Sequence, residues 1–178
     1  MDKIALQSLE FLRPDGQLAA GLVPVHNRRN FKTNLRIDER AAIIDAKSFN
    51  RIDFVYFRRF SDGRSSQVAA YVVDNSDEKL DEKALAELHL KVWLQGRAPL
   101  LYIAWASRVD VLTCAREPDF WNEEAQSYRY NPAKILRTAG EISSEIQKFS
   151  ALRLANGTFW EDPHNAKLQT IIRPHINL

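Results

Sequence analysis

The chain has 178 residues, with 25 basic against 23 acidic side chains and a formal net charge of +2. That length suits one domain, the 45% hydrophobic share excludes wholesale disorder, and the even charge balance does not by itself indicate nucleic acid, so any basic surface is local. The single cysteine, Cys114, excludes an internal disulfide; with no signal-like start and no apolar run near the ~20 residues that span a bilayer, the sequence reads as a cytoplasmic protein with no membrane contact.

Residues 1 to about 33 have weak periodicity. Pro14-Asp15-Gly16 marks a turn, and His26 to Asn30, with Arg28 and Arg29, reads as a basic loop. Leu35, Ala42, Ile43 and Ala46 recur at near-helical spacing, which predicts a helix capped by Asn34 or Asp38 and ending near Phe49. Asp53 to Phe60 is aromatic and β-branched, the signature of a strand. Ser61-Asp62-Gly63-Arg64 supplies a turn, and Gln67 to Val73 a second strand whose apolar character on both faces predicts a covered, central position. Asp77 or Asp81 caps a helix that ends before Gly96, with Leu85, Leu88, Val92 and Trp93 along one face. Pro99 opens a third strand, Leu100 to Trp105, and a tight turn at Ser107-Arg108 leads to a fourth, Val109 to Cys114. The aromatic and acidic stretch Arg116 to Tyr130 reads as an ordered loop. Asn131-Pro132 then predicts a helix, with Asn as cap, Pro in its first turn, and Ile135, Ala139, Ile142, Ile146 and Phe149 on one face. Beyond Asn156-Gly157 the chain reads as loop. The expectation is one α/β (α+β) domain, a mixed central sheet flanked by helices, with a core over about 35–150 and a loop-rich tail over 151–178. Such a core resembles that of the PD-(D/E)XK restriction nucleases.

The chemistry of this pattern rests on carboxylates and arginines. Asp53 precedes one strand and Asp74 closes its antiparallel neighbour, so a hairpin brings both to a common rim. Two carboxylates there suit Mg²⁺, an oxygen-seeking ion, and name Asp53 and Asp74 as candidate catalytic and metal-binding residues. The plainer reading is that Asp53 starts a strand and Asp74-Asn75 makes a turn. A nuclease also needs a lysine two residues past the second acid; Ser76 stands there, with Lys79 nearby. Arg58 and Arg59 alternate to opposite faces, so they cannot line one groove; one of them at least can serve as a salt-bridge partner. Arg64, in the turn, is the residue best placed to meet a phosphate. With Arg28 and Arg29 these three make up the candidate DNA-binding set. His89 falls on the helical apolar face and reads as a packed residue, the other histidines lack paired ligand spacing, and Cys114 reads as core. Phe120, Trp121, Tyr128 and Tyr130 either stack on bases or, the favoured alternative, pack over the sheet edge.

Three stretches, "YFRRFSDGRSSQVAAYVVDNSD", "LAELHLKVWLQGRAPLLYIAWASRVDVLTCAREPDFW" and "FSALRLANGTFWEDPHN", together resemble the N-terminal region of bacterial N6-adenine DNA methylases of restriction-modification systems. The likeness runs from about Ile52 to Asn165. It implies a nuclease-like N-terminal domain whose partners are DNA and the methylase or specificity region of the system. The family's methylase domain binds SAM and carries an Asn-Pro-Pro-aromatic motif that holds the flipped adenine. Here the nearest string is Asn131-Pro132-Ala133-Lys134, which Ala133 breaks, and no glycine-rich SAM loop is present, so SAM belongs to a methylase domain that this chain does not contain. The resemblance thus implies DNA binding or assembly by a degenerate nuclease copy. Two alternatives stand beside it: an active Mg²⁺-dependent endonuclease using Asp53 and Asp74, and a protein-interaction module with no DNA contact.

Overall fold

The computed structural model describes residues 4–26, 35–118, 121–138 and 144–169. Its strands are β1 (Leu22–Pro24), β2 (Phe54–Arg58), β3 (Gln67–Asp74), β4 (Leu100–Ala104), β5 (Arg108–Thr113), β6 (Trp121–Asn122), β7 (Ser127–Tyr128) and β8 (Lys134–Arg137). β6 and β7 form a small hairpin of their own; the others make one sheet in the order β1-β2-β3-β4-β5-β8. The helices are α1 (Ile4–Ser8), α2 (Arg40–Lys47), α3 (Glu82–Gln95), α4 (Ser144–Gln147), α5 (Ala151–Asn156) and α6 (Pro163–Ala166). All neighbours in the large sheet run antiparallel except β3 and β4, which are parallel because α3 carries the chain back between them. The mixed sheet flanked by helices is therefore present as expected.

Alternation along the strands sorts apolar side chains into two cores, one on each face. Ala70, Val72, Leu100, Tyr102 and Ala104 face α1 and α5, where Leu9, Phe11, Leu154 and Phe159 meet them. Tyr71, Val73, Leu101 and Ile103 face α2 and α3, against Ala42, Ala46, Leu85, Leu88 and Val92. β3 and β4 are thus covered on both sides, and every residue of β4 is buried. Each large apolar side chain so enclosed contributes about 1.5–3 kcal/mol relative to exposure. α3 has the caps its sequence predicts: the Asp81 carboxylate accepts from Ala84 N at 2.8 Å, and Gly96 takes the left-handed conformation at φ 74°.

Four stretches differ from expectation. Residues 131–137 are not helical: Lys134–Arg137 is the edge strand β8, with Leu136 opposite Val109, and helix resumes only at Ser144. An unpaired β5 edge accepts hydrogen bonds here, Ala133 N to Val111 O at 2.9 Å, and this pairing overrides the Asn-Pro start signal. Ala139 and Ile142 of the expected helical face lie outside the described residues, as does Asn34 as a possible cap. Upstream, Leu22–Pro24 adds a first strand that weak periodicity hid, entered through Gly21. The 116–130 segment contains the β6–β7 hairpin. Finally, the stretch expected to be a loop-rich tail carries α5, a 3-10 turn at Thr158–Glu161 and α6, and it completes a core. The hydroxyls of Tyr56 and Tyr102 donate to the carbonyls of Ala151 and Phe149 at 3.1 and 2.8 Å, tying the sheet to this layer. Among the described residues no helix is long and apolar enough to cross a membrane.

Candidate functional site

The hairpin β2–β3 does bring Asp53 and Asp74 to one rim. Phe54 pairs with Val72, and the Asp74 amide donates to Asp53 Oδ2 at 2.7 Å. Asp53 is itself held by its backbone, donating to Val72 O at 3.0 Å and accepting from Val25 N at 2.9 Å. The Asp74 carboxylate closes a turn: its Oδ1 accepts from Ser76 N at 3.2 Å and from Ser76 Oγ at 2.7 Å. The strand therefore stops at Asp74, and Ser76 does not continue along a strand face. Next to it Asn75, 1% exposed, brackets Leu80 with both ends of its amide at 3.0 Å. Lys79 pairs with Asp77 in the exposed loop before α3.

The fit to a divalent cation follows from this donor set. Asp53 and Asp74 are half-buried, but the contact between them is from the Asp74 amide to the Asp53 carboxylate, while the Asp74 carboxylate turns to Ser76; Mg²⁺ held by both would draw its remaining ligands from water or substrate. Among the described residues no group of three or more His, Cys, Asp or Glu side chains is arranged to hold a metal. The turn hydrogen bonds match the plainer reading, in which aspartates finish a strand and begin a turn.

The arginines lie at the other end of β2. Arg58 is five residues from Asp53, about 16 Å along an extended strand, so the carboxylates and the arginines do not share one cleft. Arg58 and Arg59 diverge as the strand alternation requires. Arg59 turns toward α2, where Nε and a terminal nitrogen donate to both oxygens of Glu39 at 2.9 and 2.8 Å. Glu39 is fully buried and Arg59 is 15% exposed, so this is an internal ion pair joining the hairpin to the start of α2. Burial alone would raise the Glu39 carboxyl; the hydrogen bonds from Arg59 and the Arg36 amide, with the Arg59 charge, outweigh it and leave Glu39 below the ordinary carboxylate range. Arg58 turns the other way, toward Gly157 at the end of α5. Arg64 is exposed and pairs with Asp62 of its own turn at 2.8 Å. The guanidinium carbons of Arg58 and Arg64 lie 4.9 and 4.0 Å from the Phe60 ring centre. Arg28 and Arg29 lie outside the described residues.

A second constellation escaped the sequence reading. Asp110, on β5 and fully buried, receives Trp105 Nε1 at 2.9 Å, Arg108 Nε at 3.0 Å and the hydroxyl of Tyr130. The signal was available: an acid between two strand valines, with Trp and Arg five and two residues upstream. Burial first, then the hydrogen bond to Asp110 and its charge, push the Tyr130 hydroxyl well above the usual phenol range. This network ties the return of the 116–130 segment to the sheet. Trp121 and Tyr128 meet edge to face at 4.9 Å, and Trp121 remains 44% exposed; Phe120 lies outside the described residues. His89 is buried with Nε2 2.7 Å from Thr113 O, the packed role expected of it. Burial pushes the Cys114 thiol far above its ordinary value, which makes it an inert core group. A cavity of about 310 Å³ lies apart from both sites, between β8, α4 and α6. Its Lys134–Glu145 and Lys148–Asp162 pairs neutralise one another.

No protein-family model, no curated protein and no solved structure matches this chain.

Proposed function

We propose that this chain is the nuclease-like N-terminal domain of a restriction-modification N6-adenine DNA methylase, and that it binds DNA without cutting it. The observation that carries this reading is the joined rim, Asp74 N on Asp53 Oδ2 at 2.7 Å, on a sheet in which three antiparallel strands are followed by a crossing helix and a parallel fourth. That order is the one expected of a PD-(D/E)XK core, and the sequence resemblance supplies the methylase context. Loss of cleavage is supported by the residue in the lysine position. Ser76 is folded into the turn of Asp74 and brings no ammonium group to neutralise a scissile phosphate.

DNA contact, in this reading, is made at the hairpin tip and not at the rim. Arg58 and Arg64 gather there around Phe60, whereas Arg59 is committed to Glu39. Such contacts address the phosphate backbone and carry no sequence information. The test is fluorescence anisotropy on duplex DNA over a salt series, with plasmid nicking assayed in Mg²⁺ and Mn²⁺. Binding that weakens with a log–log slope of roughly −0.9 per phosphate contacted is expected, with no nicking. Absence of binding at low salt refutes DNA recognition; nicking abolished by Asp74→Ala replaces it with the active endonuclease.

A further inference from the structure

We propose that Arg58 forms a pre-built socket for a phosphate-type oxyanion, with Gly157 as its floor. Arg58 differs in its partners from several other arginines of the fold. Arg59, Arg64, Arg97 and Arg108 each face a carboxylate within 3.0 Å. Arg58 is half-buried and makes no ion pair or hydrogen bond to the described residues, and its Nε is sealed from solvent without an acceptor. A buried N–H with no acceptor is costly, and such a group marks a place that a water, an ion or a ligand completes.

The geometry at Gly157 shows how the guanidinium is presented. A Cβ built on Gly157 would stand 2.7 Å from one terminal nitrogen of Arg58 and 2.8 Å from both Cζ and the other. A point nearly equidistant from those three atoms lies above the guanidinium plane, not in it. The backbone of Gly157 therefore covers one flat face, while the N–H donors, which point outward in the plane, keep their directions. Gly157 also holds φ 80°, so glycine is required twice over, for the backbone conformation and for the room it leaves. Phe60 lies 4.9 Å from the guanidinium carbon and limits its movement further. The result is an arginine packed against Gly157 and Phe60, whose terminal nitrogens, unlike Nε, are not sealed from solvent and are the part left to meet a ligand. A fork of two parallel N–H groups matches two oxygens of a phosphate. Arg64 differs: it is 65% exposed and must give up Asp62 before it can bind anything.

This inference deepens the DNA-binding reading by assigning the phosphate contact to one residue, and its test is built to separate the two. Duplex affinity is measured for wild type, Arg58→Lys, Arg58→Gln and Arg64→Gln, each checked by thermal melting. Alongside, the Arg58 Nε–H resonance of wild type is followed by NMR during titration with inorganic phosphate and with duplex DNA. Arg58→Lys keeps the charge and loses the fork; it should weaken binding about tenfold at an unchanged salt slope, Arg58→Gln should lower that slope by about one, and Arg64→Gln should cost less than about threefold. If wild type binds duplex and both Arg58 variants bind equally well, the socket is wrong and the DNA reading survives. If wild type ignores duplex but inorganic phosphate moves the Arg58 resonance, the socket stands, its oxyanion comes from another source, and the DNA reading falls. If neither probe moves the resonance, the socket is overturned.

Discussion

Replacing Glu39 by glutamine isolates the ion pair that clamps the β2–β3 hairpin to α2. In the folded protein the Glu39 carboxylate is fully buried and accepts from the Arg36 amide at 2.9 Å and from Arg59 at 2.9 and 2.8 Å. Glutamine preserves the shape but removes the charge and turns an amide N–H₂ toward a guanidinium that is only 15% exposed. Breaking one side of a buried pair costs about 3–5 kcal/mol, and the acceptor that glutamine retains places this variant near 3 kcal/mol. For a chain of 178 residues that corresponds to a fall in Tm of about 6–12 °C. The pH dependence follows from the lowered Glu39 pKa. A carboxyl whose folded pKa lies below its unfolded value, here 4.5, contributes fully above that pH and loses its contribution as pH falls through the folded pKa. The measurement is urea unfolding of wild type and Glu39→Gln at steps from pH 7 to pH 3. The stability gap should be widest near neutrality and shrink below about pH 4.5. A gap under about 1 kcal/mol at pH 7, or one that is constant with pH, would refute the assignment of Glu39–Arg59 as a buried, charged clamp.

Gly21→Ala should destabilise the protein by about 3 kcal/mol, because Gly21 sits at φ 94° and its added Cβ would fall 2.6 Å from Phe57 O; urea unfolding reads this, and a loss below about 1 kcal/mol would contradict that backbone path. Tyr130→Phe removes one donor from the buried Asp110 carboxylate and should cost about 2 kcal/mol, while Asp110→Ala, which strands the half-buried Arg108 as well, should cost more. Equal stability of Tyr130→Phe and wild type in chemical denaturation would show that this hydroxyl does not anchor the 116–130 segment.

Much of the sheet was legible in the chain order of residue types. The aromatic and β-branched run after Asp53, the Ser61–Arg64 turn and the Asp81-to-Gly96 helix each declare themselves through local rules, and the structure places them with small shifts at the ends. The opposite directions of Arg58 and Arg59 followed from strand alternation alone. What the local pattern left open was which partner each arginine meets. Glu39 is 20 residues before Arg59, and Gly157 is 99 residues after Arg58; no window of neighbouring residues contains either encounter.

By itself, the amino-acid order determined that a hairpin of two apolar strands would unite Asp53 with Asp74, since turn chemistry and alternation are short-range and are written in neighbouring residues. Only tertiary structure decided that Lys134–Arg137 is strand and not helix. A short apolar run satisfies both periods, and the vacant edge of β5 stabilises one of them by pairing with it. Tertiary structure likewise decided that Ala151, Leu154 and Phe159 are core. Phe159 has no apolar stripe of its own to announce it, and it is buried because Phe149 and the sheet face are there to receive it. Burial is a property of the partner surface, and that surface exists only once remote segments have met.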